Sequence, residues 1–150
     1  MDRNFGNQFP YVDLYPNYAS VAKNDAQQTA NQLGTATYQE YIDRYCEKVG
    51  TDYIAYDYYI YSAGLPKYYE NQRIISEACR RTGRSMWMTI QANSDPKHAD
   101  ELLSVNRMRF QAFSSLAFGA EVIIWACYTA GWWHHNALDE HGEKTPQYEK

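Results

Sequence analysis

The chain has 150 residues, which is enough for one domain with a hydrophobic core, and its net charge is −4. This charge argues against a protein that binds the phosphate backbone of nucleic acids, because such proteins expose a basic face. No apolar run approaches the roughly 20 residues that span a bilayer. The first ten residues, MDRNFGNQFP, lack the apolar segment of a signal peptide. We therefore predict no nucleic-acid partner and no membrane span.

Aromatic residues are unusually frequent: they make up 16% of the chain, with 15 Tyr and 4 Trp. Tyrosine and tryptophan combine an apolar ring with a polar group. Such side chains suit a protein core, and they equally suit a wet pocket for a polar, ring-shaped ligand such as a sugar. The composition leaves both interpretations open.

The cysteine and histidine spacing gives no metal signature. Cys46, Cys79 and Cys127 lie far apart, so we interpret them as free thiols packed as small hydrophobic groups. A zinc site needs defined spacing on a rigid frame. The loose histidine cluster lies on a predicted loop and turn, and consists of His134, His135, Asp139 and His141. The sequence therefore predicts no metal and no other cofactor.

Predicted strands and helices alternate along the chain. The first strand is predicted at residues 10–18, and Thr37 with Glu40 forms a capping box that opens a helix. The following elements are a strand at 53–61, a helix at 67–81, a strand at 85–92, a helix at 99–118, a strand at 121–128 and a helix start at 145–150. Alternation of this kind is typical of a parallel sheet with right-handed crossovers. We predict an α/β fold of parallel strand–helix repeats, with about four βα units.

Helical spacing of apolar residues predicts which helix faces are buried. For helix 67–81 the predicted buried stripe is Tyr68, Asn71, Ile75, Ala78 and Cys79. For helix 99–118 it is Leu102, Leu103, Met108, Ala112, Phe113 and Leu116. Arg107 and Arg109 are predicted to lie on the solvated face of that helix, and Trp87 is predicted to belong to the core.

Polar or aromatic residues follow all four predicted strands. In parallel α/β folds the functional groups lie at the carboxyl ends of the strands, whereas a purely structural sheet more often ends in small turn residues. The residues at these ends are Asp13, Tyr15 and Asn17; Asp57 and Tyr59; Gln91 and Asn93; and Tyr128, Trp132 and Trp133. This agreement across four strands predicts a functional site at this edge of the sheet.

Alternatives remain for the individual side chains. In a strand over 53–61, period-two alternation places Asp57 and Tyr59 on the same face, where Asp57 is able to accept hydrogen bonds from vicinal sugar hydroxyls; the alternative is a salt bridge or a loop cap. Asp13 and Asn17 allow ligand contact or structural hydrogen bonding. Trp132 is suited to stacking on a sugar face, and its alternative is a lid or a subunit contact.

Five segments together resemble a known family. They are FPYVDLYPNYAS, DYIAYDYYIY, YYENQRIISEACRRTGRSMWMTIQAN, FQAFSSLAFGAEVIIWACYTAGWW and ALDEHGEKTPQYEK. In this order they resemble the second half of a (β/α)8-barrel glycoside hydrolase of the β-galactosidase-like group (the family 42 type), which includes gut-bacterial relatives. The resemblance implies that the four predicted strands are the fifth to eighth of a barrel.

The resemblance also implies that the chain is incomplete as a barrel. A full (β/α)8 barrel needs roughly 250 residues, and 150 residues hold four βα units. We therefore expect residues 1–150 to form a single partial barrel domain that begins within the barrel. The compartment stays open, because the full-length parent of such a chain can be secreted or periplasmic.

The catalytic groups that the resemblance implies are missing from this chain. Such glycosidases use two carboxylates, of which the acid/base comes from the end of the fourth strand. The second comes from the seventh strand, here SMWMTIQANS, where Gln91 or, on a shifted alignment, Ile90 stands at the matching position, and neither side chain is able to attack an anomeric carbon. Asp13 also departs from the family, which has Asn there. We therefore expect no hydrolysis by this chain alone.

The sequence thus predicts a carbohydrate-binding, glycoside-hydrolase-like barrel fragment whose parent hydrolyses glycosidic bonds. Two alternatives remain: a non-catalytic sugar-binding pseudoenzyme, and a truncated, functionally inert reading frame. The expected substrate-binding residues are Asp57, Tyr59, Tyr15, Asn17, Gln91, Tyr128 and Trp132. Since a partial barrel has open strand edges, we also expect a homodimer through these edges.

Overall fold

The computed structural model describes residues 35, 37–63, 65–94, 100–129 and 134–150. Its elements are α1 Tyr38–Lys48, β1 Tyr53–Asp57, α2 Ile60–Ala63, α3 Leu65–Thr82, β2 Ser85–Gln91, α4 Val105–Ala117 and β3 Ala120–Ala126. The protein has an α/β fold in which three parallel strands alternate with helices, in the order β1-β2-β3. The strand predicted at 10–18 lies outside the described residues.

One face of the sheet forms the core with the helices. Helix α3 packs against β1 and β2, α4 packs against β2 and β3, and α1 packs on α3. The buried strand residues on this face include Ile54, Tyr56, Met86, Met88 and Ile90. They alternate along each strand because successive side chains point to opposite faces.

The opposite face of the sheet carries Tyr53 and Trp87. Their rings stack with centroids 4.2 Å apart, and both residues are partly buried. Trp87 therefore packs on the face turned away from the helices, and its Nε1 donates to Ser85 Oγ at 3.0 Å.

Two predictions about the helices are confirmed. Helix α1 begins after Thr37, whose Oγ1 accepts a hydrogen bond from the Glu40 backbone N–H at 3.1 Å. The predicted stripe of α3 is buried throughout: Tyr68, Asn71, Ile75, Ala78 and Cys79 are at most 5% exposed. The three cysteines are free thiols. No helix in the described ranges is long and apolar enough to cross a membrane.

The strand predicted at 53–61 is shorter than expected. It ends at Asp57, and the helical turn α2 begins at Ile60. The backbone N–H of Tyr61 donates to the side chain of Gln91 at 3.3 Å, so the chain bends over the end of β2 instead of continuing the sheet. The period-two argument that placed Tyr59 beside Asp57 was therefore wrong, because Tyr59 lies beyond the strand.

The helix predicted at 99–118 is also shorter, and its buried face differs. Ser104 caps it, with Oγ accepting from the Arg107 N–H, so residues 101–104 are not helical. Phe113 and Leu116, predicted to be buried, are 67% and 48% exposed, whereas Gln111 and Ser115 are fully buried. The buried face of α4 is polar because it forms hydrogen bonds with the Tyr68 hydroxyl. Tyr68 Oη lies 2.6 Å from Ser114 Oγ.

The chain end predicted as a helix start forms turns instead. Residues 134–150 contain a small antiparallel bridge between Leu138 and Lys144, and Asp139 Oδ1 accepts two backbone N–H groups in the turn between them. These hydrogen bonds lower the pKa of Asp139. The carboxylate therefore serves the turn.

Candidate functional site

The carboxyl ends of the three strands meet at one edge of the sheet. Asp57 ends β1, while Asn93 and Cys127 follow β2 and β3. Burial raises the pKa of the Cys127 thiol, a hydrogen bond with the Asn93 side chain lowers it, and the Asp57 carboxylate raises it further. Residues from all three strand ends therefore interact, as expected for a parallel sheet.

A small cavity of about 160 Å³ lies at this edge, between α2, the end of β2 and the start of α4. It is smaller than the pockets of about 300–1,000 Å³ that take drug-sized ligands, so it has room for one small molecule. Among the residues that the structure describes, the lining consists of Tyr61, Gln91, Asn93, Ser94, Glu101, Leu103 and Arg107. Six of these seven carry a side-chain hydrogen-bonding group, so the cavity suits a polar ligand.

Gln91 forms the inner wall of the cavity and is only 1% exposed. Its Oε1 accepts from the Tyr61 N–H at 3.3 Å, and its Nε2 donates to the Asn93 carbonyl at 2.9 Å. The Gln111 side-chain amide binds both backbone groups of Gln91, each at 2.9 Å. Gln91 is therefore held rigidly by the protein on both its side chain and its backbone.

An ion pair and an aromatic ring form the outer wall. Arg107 Nη1 lies 3.2 Å from Glu101 Oε2, and about half of each side chain is exposed. The Arg107 guanidinium also lies 5.1 Å from the centre of the Tyr61 ring, a cation–π distance. The Tyr61 hydroxyl in turn donates to the Arg107 carbonyl at 2.9 Å. The outer wall thus offers an acceptor, a cationic donor and an aromatic surface together.

Asn93 lies fully buried beside the inner wall. Its Nδ2 donates to Asn136 Oδ1 at 3.1 Å. Its Oδ1 has no hydrogen-bond partner among the described residues. A buried acceptor without a donor costs free energy, and this oxygen is itself shielded from solvent, so a ligand in the cavity does not contact it without a rearrangement of its surroundings.

Hydrogen bonds to backbone groups connect the segments that border the cavity. Ser94 and His134 exchange two backbone hydrogen bonds, at 2.8 and 2.9 Å. Ser94 Oγ donates to the Glu101 carbonyl. The Gln147 amide binds both backbone groups of Leu103, at 2.9 and 3.1 Å. The chain end at 134–150 therefore supports the cavity wall without lining it.

The structure separates the residues predicted to bind substrate. Gln91 lines the cavity, but Asp57, Tyr59 and Tyr128 do not. Asp57 and Tyr59 are partly buried beyond the cavity, and Tyr128 is 61% exposed, with its carbonyl accepting from the Leu138 N–H at 2.9 Å. Tyr15, Asn17 and Trp132 lie outside the described residues, as do Asp13 and Trp133.

Sequence reasoning missed five lining residues: Tyr61, Ser94, Glu101, Leu103 and Arg107. Tyr61 was assigned to a strand, Glu101 to a helix, and Arg107 to a solvated face. The strand-end rule does not reach them, because Glu101 and Arg107 follow β2 by 10 and 16 positions. Ser104 is a usable signal, since an N-cap serine there predicts a helix start at 105 and a loop before it.

A second cavity of about 430 Å³ lies at the opposite edge of the sheet. It is lined by the ends of α3 and α4 and includes Cys79, Arg80 and Glu121. Burial raises the pKa of Cys79 to about 12, so this thiol stays protonated and unreactive near neutral pH. In the part of the chain that the structure describes, no group of three metal-ligating side chains converges.

Comparison with known proteins gives no relative. No family model matches the chain, and neither a curated protein nor a solved structure is significantly similar to it.

Proposed function

We propose that this chain is a carbohydrate-binding part of a glycoside-hydrolase-like (β/α)8 barrel, corresponding to its fifth to eighth strands. The observation that supports this proposal is the cavity at the carboxyl edge of the sheet. Its walls combine the Tyr61 ring, the Glu101–Arg107 ion pair and buried side-chain amides. Sugars are bound by this combination, since a ring face packs on an aromatic surface while hydroxyls exchange hydrogen bonds. The fourth βα unit and closure into a barrel belong to the same proposal.

The cavity favours binding without hydrolysis by this chain. Glycosidases use two carboxylates, and Glu101 is the only carboxylate among the described lining residues, where it is paired with Arg107. Gln91, at the position matching a nucleophile, is an amide held by hydrogen bonds. Hydrolysis belongs to a parent protein that supplies the missing carboxylates. A non-catalytic sugar-binding pseudoenzyme is the second candidate on the same grounds.

Calorimetric titration of the 150-residue chain with mono- and oligosaccharides tests this proposal. We expect binding of at least one sugar, and Arg107→Ala to weaken it by about tenfold, or roughly 1.4 kcal/mol. Arg73→Ala is the matched control, because Arg73 forms a similar exposed pair with Glu77 at 2.7 Å on α3. If no sugar binds, the chain is the inert reading frame and not a binding module.

An activity assay tests the non-catalytic part separately. Aryl glycosides are expected to remain intact with the pure chain. Turnover that Glu101→Gln or Asp57→Asn abolishes would contradict this part, while leaving sugar binding untouched.

We also propose that two copies of the chain associate through β3. Apolar side chains are exposed on both faces of this strand and on the adjoining helix: Ile124 and Trp125 are 40% and 44% exposed, and Phe113 is 67% exposed. Among the described strands, β3 is an edge, and such an edge pairs readily with another chain. Sedimentation analysis is expected to give a dimer that Ile124→Lys dissociates. Leu65→Lys, at a 45% exposed leucine on α3, is the control that should leave the dimer intact.

A further inference from the structure

Helix α4 has an exposed side that faces away from α3. The Tyr68 hydroxyl of α3 lies 2.6 Å from Ser114 Oγ, and the Tyr68 and Phe110 rings lie 6.3 Å apart, so Ser114 and Phe110 mark the α3 side of the helix. With 3.6 residues per turn, Leu116 and Arg109 lie roughly 120–140° around the helix from that side. Leu116 is 48% exposed there, and Arg109 is exposed as well. This side of α4 therefore borders the outer flank of β3.

Strand β3 presents an uncovered aromatic side chain on the same flank. Trp125 aligns with Ile90 of β2, and Ile90 is fully buried on the helix side of the sheet, so Trp125 also points to the helix side. It is nevertheless 44% exposed, although α4 packs against β3. Among the described strands β3 is also an edge, and an edge strand presents unpaired backbone groups. The sheet and its helix layer thus end together on this flank.

The dimensions of the flank fit a second copy of the same flank. Paired strands lie about 4.8 Å apart, and α4 packs against both β2 and β3, so α4 lies roughly one strand spacing from the midline of a β3–β3 pair. A two-fold axis through that midline, perpendicular to the sheet, keeps both α4 helices on the same side of the sheet. The two helices then lie about 10 Å apart, which is a distance at which helices pack. One second copy therefore supplies both a strand and a helix at the required spacing.

The charges on the flank are complementary under the same symmetry. Helix α4 connects the parallel strands β2 and β3, so it runs antiparallel to them. Arg109 therefore lies toward the carboxyl edge of the sheet. Glu121, also exposed, lies at the amino edge, where it borders a groove with Leu116 and its Oε2 accepts from Ser85 Oγ at 2.8 Å. A two-fold axis reverses one copy, and this brings Arg109 of one copy to the level of Glu121 of the other.

We infer that a second copy of the chain covers this flank through a two-fold axis perpendicular to the sheet. In this dimer β3 pairs antiparallel with its counterpart, the two α4 helices pack antiparallel through Leu116, and Arg109 of each copy pairs with Glu121 of the other. This inference rests on the proposed association through β3 and specifies its geometry. Both copies use the same surface, so the assembly closes at two.

Distances between spin labels in the dimer test this geometry. A nitroxide-bearing unnatural amino acid in place of Asn106, which is exposed on α4, is expected to give an intermolecular distance of roughly 20 Å, because the two α4 helices lie side by side. The matched label in place of Glu77, half exposed on α3, should give roughly 30 Å, because α3 lies one helix further from the axis. Double electron–electron resonance measures both distances.

Charge reversal tests the pair between the copies. Arg109→Glu and Glu121→Arg are each expected to raise the dissociation constant of the dimer about tenfold, because each change replaces two attractive contacts by two repulsive ones. The two changes combined should restore the constant to within about threefold of wild type, a rescue that a merely structural role of either residue does not produce. The control is Arg73→Glu combined with Glu77→Arg, at an exposed pair on α3, which should leave the constant unchanged. Sedimentation equilibrium measures these constants.

A third variant separates the helix side of the flank from the opposite face of the sheet. Leu116→Lys places a charge between the two α4 helices, so we expect the dimer to dissociate at least tenfold more readily. Packing of the two sheets through their helix-free faces leaves Leu116 outside the contact, and this variant then has no effect. Far-ultraviolet circular dichroism checks that the variant keeps its fold.

The outcomes separate this inference from the proposed association. A dimer whose Asn106 labels are no closer than its Glu77 labels would overturn the inference and leave the association standing. This result is expected both for sheets packed face to face and for parallel pairing that closes a barrel. A dimer that the combined charge reversal does not restore, or growth into larger assemblies, would also overturn the inference alone. A chain that sediments as a monomer at every concentration would overturn both.

Discussion

The two flanks of the sheet differ in how completely they are buried. On the β1 flank, Ile54 and Tyr56 are fully buried, whereas on the β3 flank Ile124 and Trp125 are 40% and 44% exposed. Both strands have similar apolar runs in the sequence, IAY and VIIW. On the face that carries the helices, α3 packs against β1 and α1 packs on α3, whereas β3 packs against α4. Ile124 aligns with Thr89 of β2, on the face turned away from the helices. An apolar run thus predicts a strand, but the neighbouring elements determine its burial.

A pair of matched truncations gives the largest expected effect. Ile54→Ala removes a fully buried side chain, so we expect the free energy of unfolding to fall by about 2–5 kcal/mol. Ile124→Ala removes a side chain that is 40% exposed, and the loss should stay below about 1 kcal/mol. Urea denaturation at low protein concentration measures both, since dilution removes any contribution from association. Equal losses in the free energy of unfolding would show that the two flanks do not differ in how well their side chains are buried.

A second pair of variants examines whether polar or apolar contacts hold α4 against the β3 flank of the sheet. Gln111→Leu leaves the backbone N–H and carbonyl of Gln91 without their partner, which should cost about 2 kcal/mol. Phe113→Ala, at a position that is 67% exposed, should cost less than about 0.5 kcal/mol. Thermal and urea denaturation compare the two. A larger loss for Phe113→Ala would mean that apolar contacts, and not polar ones, hold this helix.

We expect alkaline pH to lower the stability of the folded protein through Cys79, which lies on the buried face of α3. Burial raises the pKa of Cys79 to about 12 from an ordinary value of 9.0. Above pH 9 the unfolded chain loses this proton while the folded protein keeps it, so stability falls as pH rises from 9 toward 12. We expect a loss of about 1 kcal/mol between pH 8 and pH 10 under reducing conditions. Cys79→Ala should reduce this pH dependence; an unchanged slope would assign it to other groups.

The smallest effect is expected on the exposed face of α3, away from both flanks. Glu77→Gln breaks the pair with Arg73, in which both side chains are about half exposed. The expected change in the free energy of unfolding is at most about 0.5 kcal/mol. Added salt should reduce it further. A loss comparable with that of Ile54→Ala would contradict the view that packing, and not surface charge, sets the stability of this domain.

The sequence predictions were correct where an element depends on residues close in sequence, and wrong where it depends on contacts between distant segments. Helix α1 and its cap at Thr37 depend on neighbours within one turn, and they were predicted correctly. The predicted face of α4 was wrong, because Tyr68, more than 40 positions earlier, bonds to Gln111 and its neighbours and draws a polar face inward. The predicted end of β1 was wrong for a similar reason, since Gln91 captures the backbone of Tyr61 from 30 positions away.

The candidate site was anticipated in its position but only partly in its residues. The rule that functional groups lie at the carboxyl ends of parallel strands predicted the edge of the sheet at which the cavity lies and two of its lining residues, Gln91 and Asn93. The walls formed by Tyr61 and Arg107 come from helices, and the rule does not cover helices. The contact between Tyr61 and Arg107 depends on how α2 and α4 pack over the end of β2.

The sequence by itself determined the α/β class, the order of the strands and helices, and the buried stripe of α3, because periodicity and capping are local properties of the chain. Only the tertiary structure decided which apolar surfaces are covered, where the strands stop, and that Glu101, Arg107 and Tyr61 share one cavity. Those features arise from contacts between distant segments. Each depends on the free energy of bringing specific side chains together, which no single stretch of sequence contains.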